Sequence, residues 1–326
     1  MKKAFGKVLS SFYGVLVRLW RASYQWFPSR KKRVQARVIS VGNITWGGTG
    51  KTPLTVKLAL WLTEEGKKVA VLTRGYGKDE VQELKKKLPG IPVVVGRDRV
   101  RSAKEAVEKH GAQVIILDDG FQHIRLHRDL DVVTLNSTEP FGPGGLLPLG
   151  TLREPLEQMS RANVFVLTKC NIGAKNVHWI RQKLNELKPN AVIFESIHCP
   201  LGFVDPQKNR RMDVSGFRNR KVAALSGIGD PYSFEKTVEF LGGEIVLAAR
   251  YDDHHQFSES EILQFAKQCR AIGLHDAVTT EKDYFRIAPV LAAHAQKQLQ
   301  DFTFWVLEIE FQVSDEEDFI RRCLNS

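Results

Sequence analysis

The first 33 residues contain no aspartate or glutamate, yet they hold Lys2, Lys3, Lys7, Arg18, Arg21, Arg30, Lys31, Lys32 and Arg33. Most of the formal net charge of +11 therefore sits at one end, and the rest of the chain is close to neutral. A nucleic-acid-binding body carries its cations over a face of the fold, so this distribution argues against nucleic acid and for a basic attachment segment. Cysteine is scarce too. The 4 present, Cys170, Cys199, Cys269 and Cys323, lie far apart and make no metal-ligand spacing. A reduced, cytosolic setting is the expectation. The longest uncharged run near the N-terminus, Val8–Val17, is too short to cross a bilayer. No small-residue cleavage site follows it, which argues against a signal peptide. No internal repeat or low-complexity tract is present among the 326 residues. That length suffices for two ordinary domains or one large one. A content of 43% hydrophobic and 26% charged residues is that of a folded soluble chain.

What the N-terminus does have is a pattern. Phe5, Val8, Leu9, Phe12, Leu16, Leu19 and Trp20 recur at spacings of three and four, so a helix would gather them into one apolar stripe. Lys7, Ser11, Gly14, Arg18 and Arg21 fall on the other side, and Tyr13, Tyr24, Trp26 and Phe27 add aromatic weight. An apolar stripe with cationic flanks suits a helix lying on an anionic membrane surface. The competing reading is a helix packed on the protein's own core.

Beyond it, apolar runs at 37–42, 69–73, 92–96, 114–118, 131–135 and 163–168 alternate with amphipathic stretches such as 52–65 and 101–110. This predicts an α/β fold with a mostly parallel sheet and helices on both faces. Further runs at 191–195, 221–226, 244–249, 276–280 and 304–309 predict a second, smaller α/β unit. The expected division is an attachment segment at 1–33, a nucleotide-binding domain at 34–200 and a smaller domain at 201–326 that closes over the active site.

The sharpest feature is Gly47-Gly48-Thr49-Gly50-Lys51-Thr52-Pro53, set between the first strand and a helix. Strand, Gly-rich loop and helix form the context of a phosphate-binding P-loop. Backbone N–H groups can then face phosphate oxygens without a Cβ in the way, and the helix aims its positive end at the same anion. Lys51 is placed to reach the β- and γ-phosphates and the Thr52 hydroxyl to ligate Mg²⁺. The strict pattern has Gly where this chain has Thr45. Val114-Ile115-Ile116-Leu117-Asp118-Asp119 reads as the strand that ends in metal-holding carboxylates. Gly120-Phe121-Gln122-His123 follows, and Arg74-Gly75-Tyr76-Gly77 and Arg97-Asp98-Arg99 end two other strands. Asp79 is a candidate base for a substrate hydroxyl, and equally a surface carboxylate. Asp252-Asp253-His254-His255 lacks zinc-ligand spacing, so a carboxylate–histidine pair for proton transfer is the sharper idea. Thr279-Thr280-Glu281-Lys282-Asp283 caps a strand and reads equally as structural. Thr168-Lys169-Cys170-Asn171 lacks the carboxylate that guanine recognition needs, which disfavours a GTPase. An ATPase without a small-molecule acceptor is a further alternative.

Together VGNITWGGTGKTP, TRGYG, VVVGRDRV, VIILDDGFQH, LGTLREP, DDHHQF and TTEKD resemble, in order, the tetraacyldisaccharide 4′-kinases. The resemblance implies peripheral enzymes on the cytoplasmic face of the bacterial inner membrane. It implies transfer of the γ-phosphate of ATP to the 4′-hydroxyl of a tetraacylated glucosamine disaccharide 1-phosphate, forming lipid IVA in lipid A biosynthesis. It assigns ATP to Thr45, Gly47, Gly48, Thr49, Gly50, Lys51 and Thr52, and Mg²⁺ to Thr52, Asp118 and Asp119. Asp79 and His254 become a catalytic dyad acting with Lys51. Tyr76, Glu80, Arg99, Gln122 and His123 become substrate-side residues.

Overall fold

The computed structural model describes residues 2–75, 78–292 and 299–325. The chain forms two compact units, one of residues 1–197 with 311–326 and one of residues 198–310.

The first unit opens with helix α1 (Lys2–Trp26). Its sheet is made of β1 (Arg37–Gly42), β2 (Val69–Thr73), β3 (Val93–Val95), β4 (Val114–Asp118), β5 (Leu130–Asn136), β6 (Val164–Thr168) and the start of β7 (Val192–Asp205). The strand order is β3-β2-β4-β1-β5-β6-β7, and every pairing among these strands is parallel. Helices α2 (Lys51–Glu64), α3 (Lys78–Lys87), α4 (Arg99–His110) and α5 (Ala174–Leu187) connect them. β2, β4, β5 and β6 are buried along their whole length. Runs of Val, Ile and Leu without alternation are what strands covered on both faces require.

The second unit holds a parallel sheet β10-β9-β11-β12, made of β9 (Lys221–Ser226), β10 (Glu244–Arg250), β11 (Asp276–Thr280) and β12 (Thr303–Val313). Short β8 (Arg210–Met212) runs antiparallel to the end of β7. Helices α6 (Pro231–Phe240), α7 (Glu259–Ala271) and α8 (Glu281–Val290) lie between these strands in the chain. Their starts are set by local chemistry. Asp230 caps α6 with Pro231 in its first turn, and Ser258 and Glu261 form a reciprocal capping box on α7.

The C-terminal end departs from the expected division. Residues 311–326 return to the first unit. Phe311, Val313, Phe319 and Cys323 are buried in the core formed by Val41, Leu58, Trp61 and Phe194. The ring of Phe319, in α9 (Glu316–Asn325), meets Trp61 at 6.0 Å and Phe194 at 5.2 Å. Each buried aromatic of this kind removes enough apolar surface to stabilise the fold by about 1.5–3 kcal/mol, which outweighs sequence proximity to β12.

Helix α1 is oriented against simple intuition. Its small and polar side meets the first unit, while Val8, Phe12, Val15, Leu16, Leu19 and Trp20 are exposed, Val8 by 67% and Phe12 by 61%. Ser10 Oγ donates to the Leu146 carbonyl at 2.8 Å, and the Tyr13 hydroxyl donates to the Arg153 carbonyl at 2.8 Å. Arg21 is buried and pairs with Glu154. A Cβ on Gly14 would sit 2.7 Å from Leu146 Cδ1, so glycine permits the close approach.

Candidate phosphate-binding and proton-transfer sites

The Gly-rich loop leaves the carboxyl end of β1 and turns into α2. Gly50, the residue before the helix, has φ of 81°, a left-handed value that glycine adopts without strain. The loop is fastened from behind by hydroxyls. Thr49 Oγ1 and Thr134 Oγ1 lie 2.8 Å apart, and Thr168 Oγ1 donates to the Thr49 carbonyl at 3.1 Å. Asn43 Nδ2 donates to the Thr45 carbonyl at 2.7 Å, and buried Thr45 bridges to Leu152. Thr45, which departs from the strict loop pattern, thus sits inside the fold as part of a two-residue β-bridge.

The two aspartates at the end of β4 have different neighbours. Thr55 Oγ1, one turn into α2, donates to Asp118 Oδ1 at 3.1 Å. Asp119 has φ of 51° and turns to a second set of partners. Arg153 grips both its oxygens, at 2.7 and 3.0 Å, and Lys51 Nζ stands 3.8 Å away. Arg153 also donates to Asn43 Oδ1 at 3.1 Å. Burial raises the Asp119 pKa, but Lys51, Arg153 and Arg99 outweigh it and hold the carboxyl below its ordinary range. Arg99, nearly buried, donates to the Asp118 carbonyl at 3.1 Å. Three cations therefore converge where the strand ends, a setting made for an anion.

Thr52, Asp118 and Asp119 are the hard oxygen donors near the loop, and both Asp119 oxygens are taken by Arg153. Mg²⁺ takes one or two protein oxygens beside phosphate and water, and Thr55 steadies the Asp118 carboxylate for such a task. The donor set fits Mg²⁺. Among the described residues no group of three or more His, Cys, Asp or Glu side chains gathers as a metal cage.

Gln122 and His123 follow at once. Gln122 Nε2 donates to the Asn43 carbonyl at 2.9 Å, while the buried Gln122 Oε1 and His123 Nδ1 have no hydrogen-bond partner. Burial, with Arg99 and Arg128 nearby, pushes His123 down to about 4, so it is neutral at pH 7. An unpaired amide oxygen beside an unpaired ring nitrogen suits hydroxyl or amide groups of a ligand, which both donate and accept.

Asp79 and Glu80 occupy the first turn of α3, but their side chains lie outside the described residues, as does Tyr76. His254 belongs to the second unit and has φ of 67°. Arg286 Nη2 lies 3.2 Å from His254 Nδ1. A guanidinium only donates, so Nδ1 is the acceptor and the ring carries its proton on Nε2. Arg286 is itself fixed by the Gly227 carbonyl at 3.0 Å and by Asp283 Oδ1 at 3.3 Å. Thr280 Oγ1 donates to Asp283 Oδ2 at 2.7 Å. Burial raises the Asp283 pKa even with these donors on it. The neighbouring histidine diverges: His255 contacts Glu261 at 3.0 Å and stacks on Tyr251.

Sequence reasoning passed over Arg153, Asn43, Thr55 and Arg286. Arg153 stands within the quoted run LGTLREP, and Arg286 lies three residues past the end of TTEKD. Neither position has a local signal of its own.

A left-handed glycine before a helix, Lys51 at its first turn and a carboxylate-ended strand beside it define a P-loop phosphate-binding enzyme. Comparison with known proteins narrows the class. The model of the tetraacyldisaccharide-1-P 4′-kinase family matches residues 3–85 and 78–326. A tetraacyldisaccharide 4′-kinase of Syntrophus aciditrophicus is 37% identical over 314 residues, covering 87% of this chain and 84% of that one. One of Anaeromyxobacter dehalogenans strain 2CP-C is 38% identical over 291 residues, covering 82% and 77%. The crystal structure of LpxK from Aquifex aeolicus in complex with ATP superposes with a TM-score of 0.70 at 27% identity, covering 98% of each chain. The chain belongs to the tetraacyldisaccharide-1-P 4′-kinase family.

Proposed function

We propose that this chain transfers the γ-phosphate of ATP to the 4′-hydroxyl of a tetraacylated glucosamine disaccharide 1-phosphate. The observation that carries the reading is the convergence of Lys51, Arg153 and Arg99 behind the Gly-rich loop, within a family whose members are named for this reaction. Backbone N–H groups of 47–51 cradle the phosphates, and Lys51 moves from Asp119 to the transferring group. Asp119 is its resting partner and, with Arg153, keeps the lysine aimed. Thr52 and Asp118 would hold Mg²⁺, which would supply charge neutralisation at the phosphates. Asp79 takes the proton of the 4′-hydroxyl as its oxygen bonds to Pγ and the bond from Pγ to the ADP oxygen breaks. His254, with its proton on Nε2, donates to Asp79 and orients it. Gln122 and His123 hydrogen-bond to sugar hydroxyls or acyl amides.

Helix α1 supports a membrane-seated enzyme, which we place on the cytoplasmic face of the inner membrane. Its apolar side chains are exposed although its other side is docked, and among the described residues no helix is long and apolar enough to cross a membrane. Incubation with ATP and a lipid A disaccharide 1-phosphate should yield a product heavier by one phosphate in mass spectrometry. ATP hydrolysis unchanged by the disaccharide, with no phosphorylated lipid, would remove the reading.

A further inference from the structure

Beside the C-terminal end of α1 lies a cavity of about 230 Å³, lined among others by Arg21, Lys31, His127, Arg128, Asp131 and Arg161. It lies behind the Gln122–His123 segment: Arg128 donates to the His123 carbonyl at 2.5 Å and Arg161 to the Phe121 carbonyl at 2.7 Å. Arg128 is held by Asp131 at 2.9 and 3.2 Å, and Glu154 is shared by Arg21 and Arg161. At the rim His127 meets Asp129 at 3.4 Å and feels Arg33 and Lys31. Arg21, Lys31, Arg128 and Arg161 line the cavity with Asp131, and Glu154 pairs with two of them, four cations against two carboxylates. Arg161 Nε is buried without an acceptor. Burial and mutual repulsion among the arginines pull Arg21 and Arg161 down to about 9 each, still charged at neutral pH. Buried guanidinium groups in excess of their counter-charges are costly unless an anion completes the set. Arginine forks match phosphate oxygens well.

We propose that this cavity binds the phosphate headgroup of an anionic phospholipid drawn from the membrane on which α1 lies. The position argues for the source. Leu19 and Trp20 immediately precede Arg21 and are exposed, and Trp26 and Phe27 follow it with 71% and 57% exposure. Acyl chains beside those side chains would leave their headgroup at the level of Arg21 and Lys31. The site turns a general attraction for negative lipid into a fixed anchor that sets the depth and rotation of α1. This rests on the membrane reading of α1 given above, and the test separates the two.

The full-length protein is titrated with vesicles of phosphatidylcholine alone and with one-fifth phosphatidylglycerol, reading tryptophan fluorescence at 1 M salt. The screening length there is about 3 Å, so diffuse surface attraction is suppressed while buried contacts persist. The intact protein is expected to bind both vesicles and to prefer those with phosphatidylglycerol several-fold. Arg21→Gln/Lys31→Ala should abolish the preference and keep the binding to phosphatidylcholine. Lys7→Ala/Arg18→Ala removes the same charge from exposed positions outside the cavity and should keep the preference. Lys31→Ala alone, an exposed change that leaves the Arg21–Glu154 pair in place, should reduce it partly. Absence of a preference at high salt, or equal loss in the two double variants, overturns the headgroup site. A raised KM for a short-chain disaccharide 1-phosphate in neutral detergent, with the lipid preference intact, would assign the cavity to the substrate's own phosphate and overturn it as well. Failure of the intact protein to bind either vesicle would instead overturn the membrane reading of α1.

Discussion

At the P-loop, Lys51 and Arg153 meet on one carboxylate, Asp119, so cations wait where phosphate charge will arrive. At His254 the cation meets a ring nitrogen, and Arg286 decides which nitrogen accepts. The first centre stores charge and the second stores orientation. Losses at the first should follow the electrostatics of the transition state. Losses at the second should appear in the rate with binding left intact.

The comparison is tested most severely by Asp79→Ala, His254→Ala and the double variant. A positioned base contributes about 10²–10⁴-fold, and residues that act as a unit lose activity non-additively. Single-turnover rates of the double variant should therefore match the poorer single one, with nucleotide binding preserved in all three. Multiplicative losses would show that the two act independently.

Next in size is Lys51→Ala. Removing one preorganised contact to the transferring oxygens should lower kcat by about 10²–10³-fold with an unchanged circular dichroism spectrum. Turnover within a few-fold of the parent would show that Arg153 and Arg99 alone carry the charge.

Arg286→Lys sharpens the contrast. It keeps a cation beside Asp283 but loses the fork that reaches both Gly227 and His254. Misplacing a catalytic group by about 1 Å costs up to about 10²-fold, so kcat should fall by up to that factor while KM for ATP stays put. Equal changes in kcat and in ATP affinity would make Arg286 a general structural residue.

The smallest effect concerns His123. Its folded pKa lies near 4, below the ordinary value of 6.5. Between those values the unfolded chain binds the proton and the folded one does not, so His123's contribution to stability is lost as pH falls through that window. The urea midpoint should drop from pH 6.5 to 4 less steeply in His123→Gln than in the parent.

Much of this was legible in the residues. The strands of the first unit, the Gly-rich loop and the paired aspartates carry their signals within a dozen consecutive positions. Arg153 was not legible, because its partner Asp119 is 34 residues away and an arginine before Glu-Pro looks like any loop cation. Arg286 was hidden for the same reason, 32 residues from His254. The two terminal helices show a further limit. Both α1 and α9 are amphipathic, yet α9 buries Phe319 and Cys323 while α1 exposes Val8 and Phe12. Periodicity reveals that a face exists. Which way it points depends on what the rest of the chain offers it, and only the absence of acidic residues and the aromatic excess in α1 hinted at the outward choice.

The return of residues 311–325 to the first unit sets an order of events during synthesis. Phe311, Val313 and Phe319 fill a core shared with Val41, Leu58 and Trp61, which leave the ribosome some 250 residues earlier. The entire second unit, residues 198–310, is made in between. The nucleotide-binding unit therefore waits, its core unsealed, until that insert has emerged, at roughly 5–20 residues per second. Throughout that interval α1 has already been made, apolar residues and all. On the membrane seating proposed for α1, a nascent chain would have that helix occupied while the nucleotide-binding unit behind it is still incomplete.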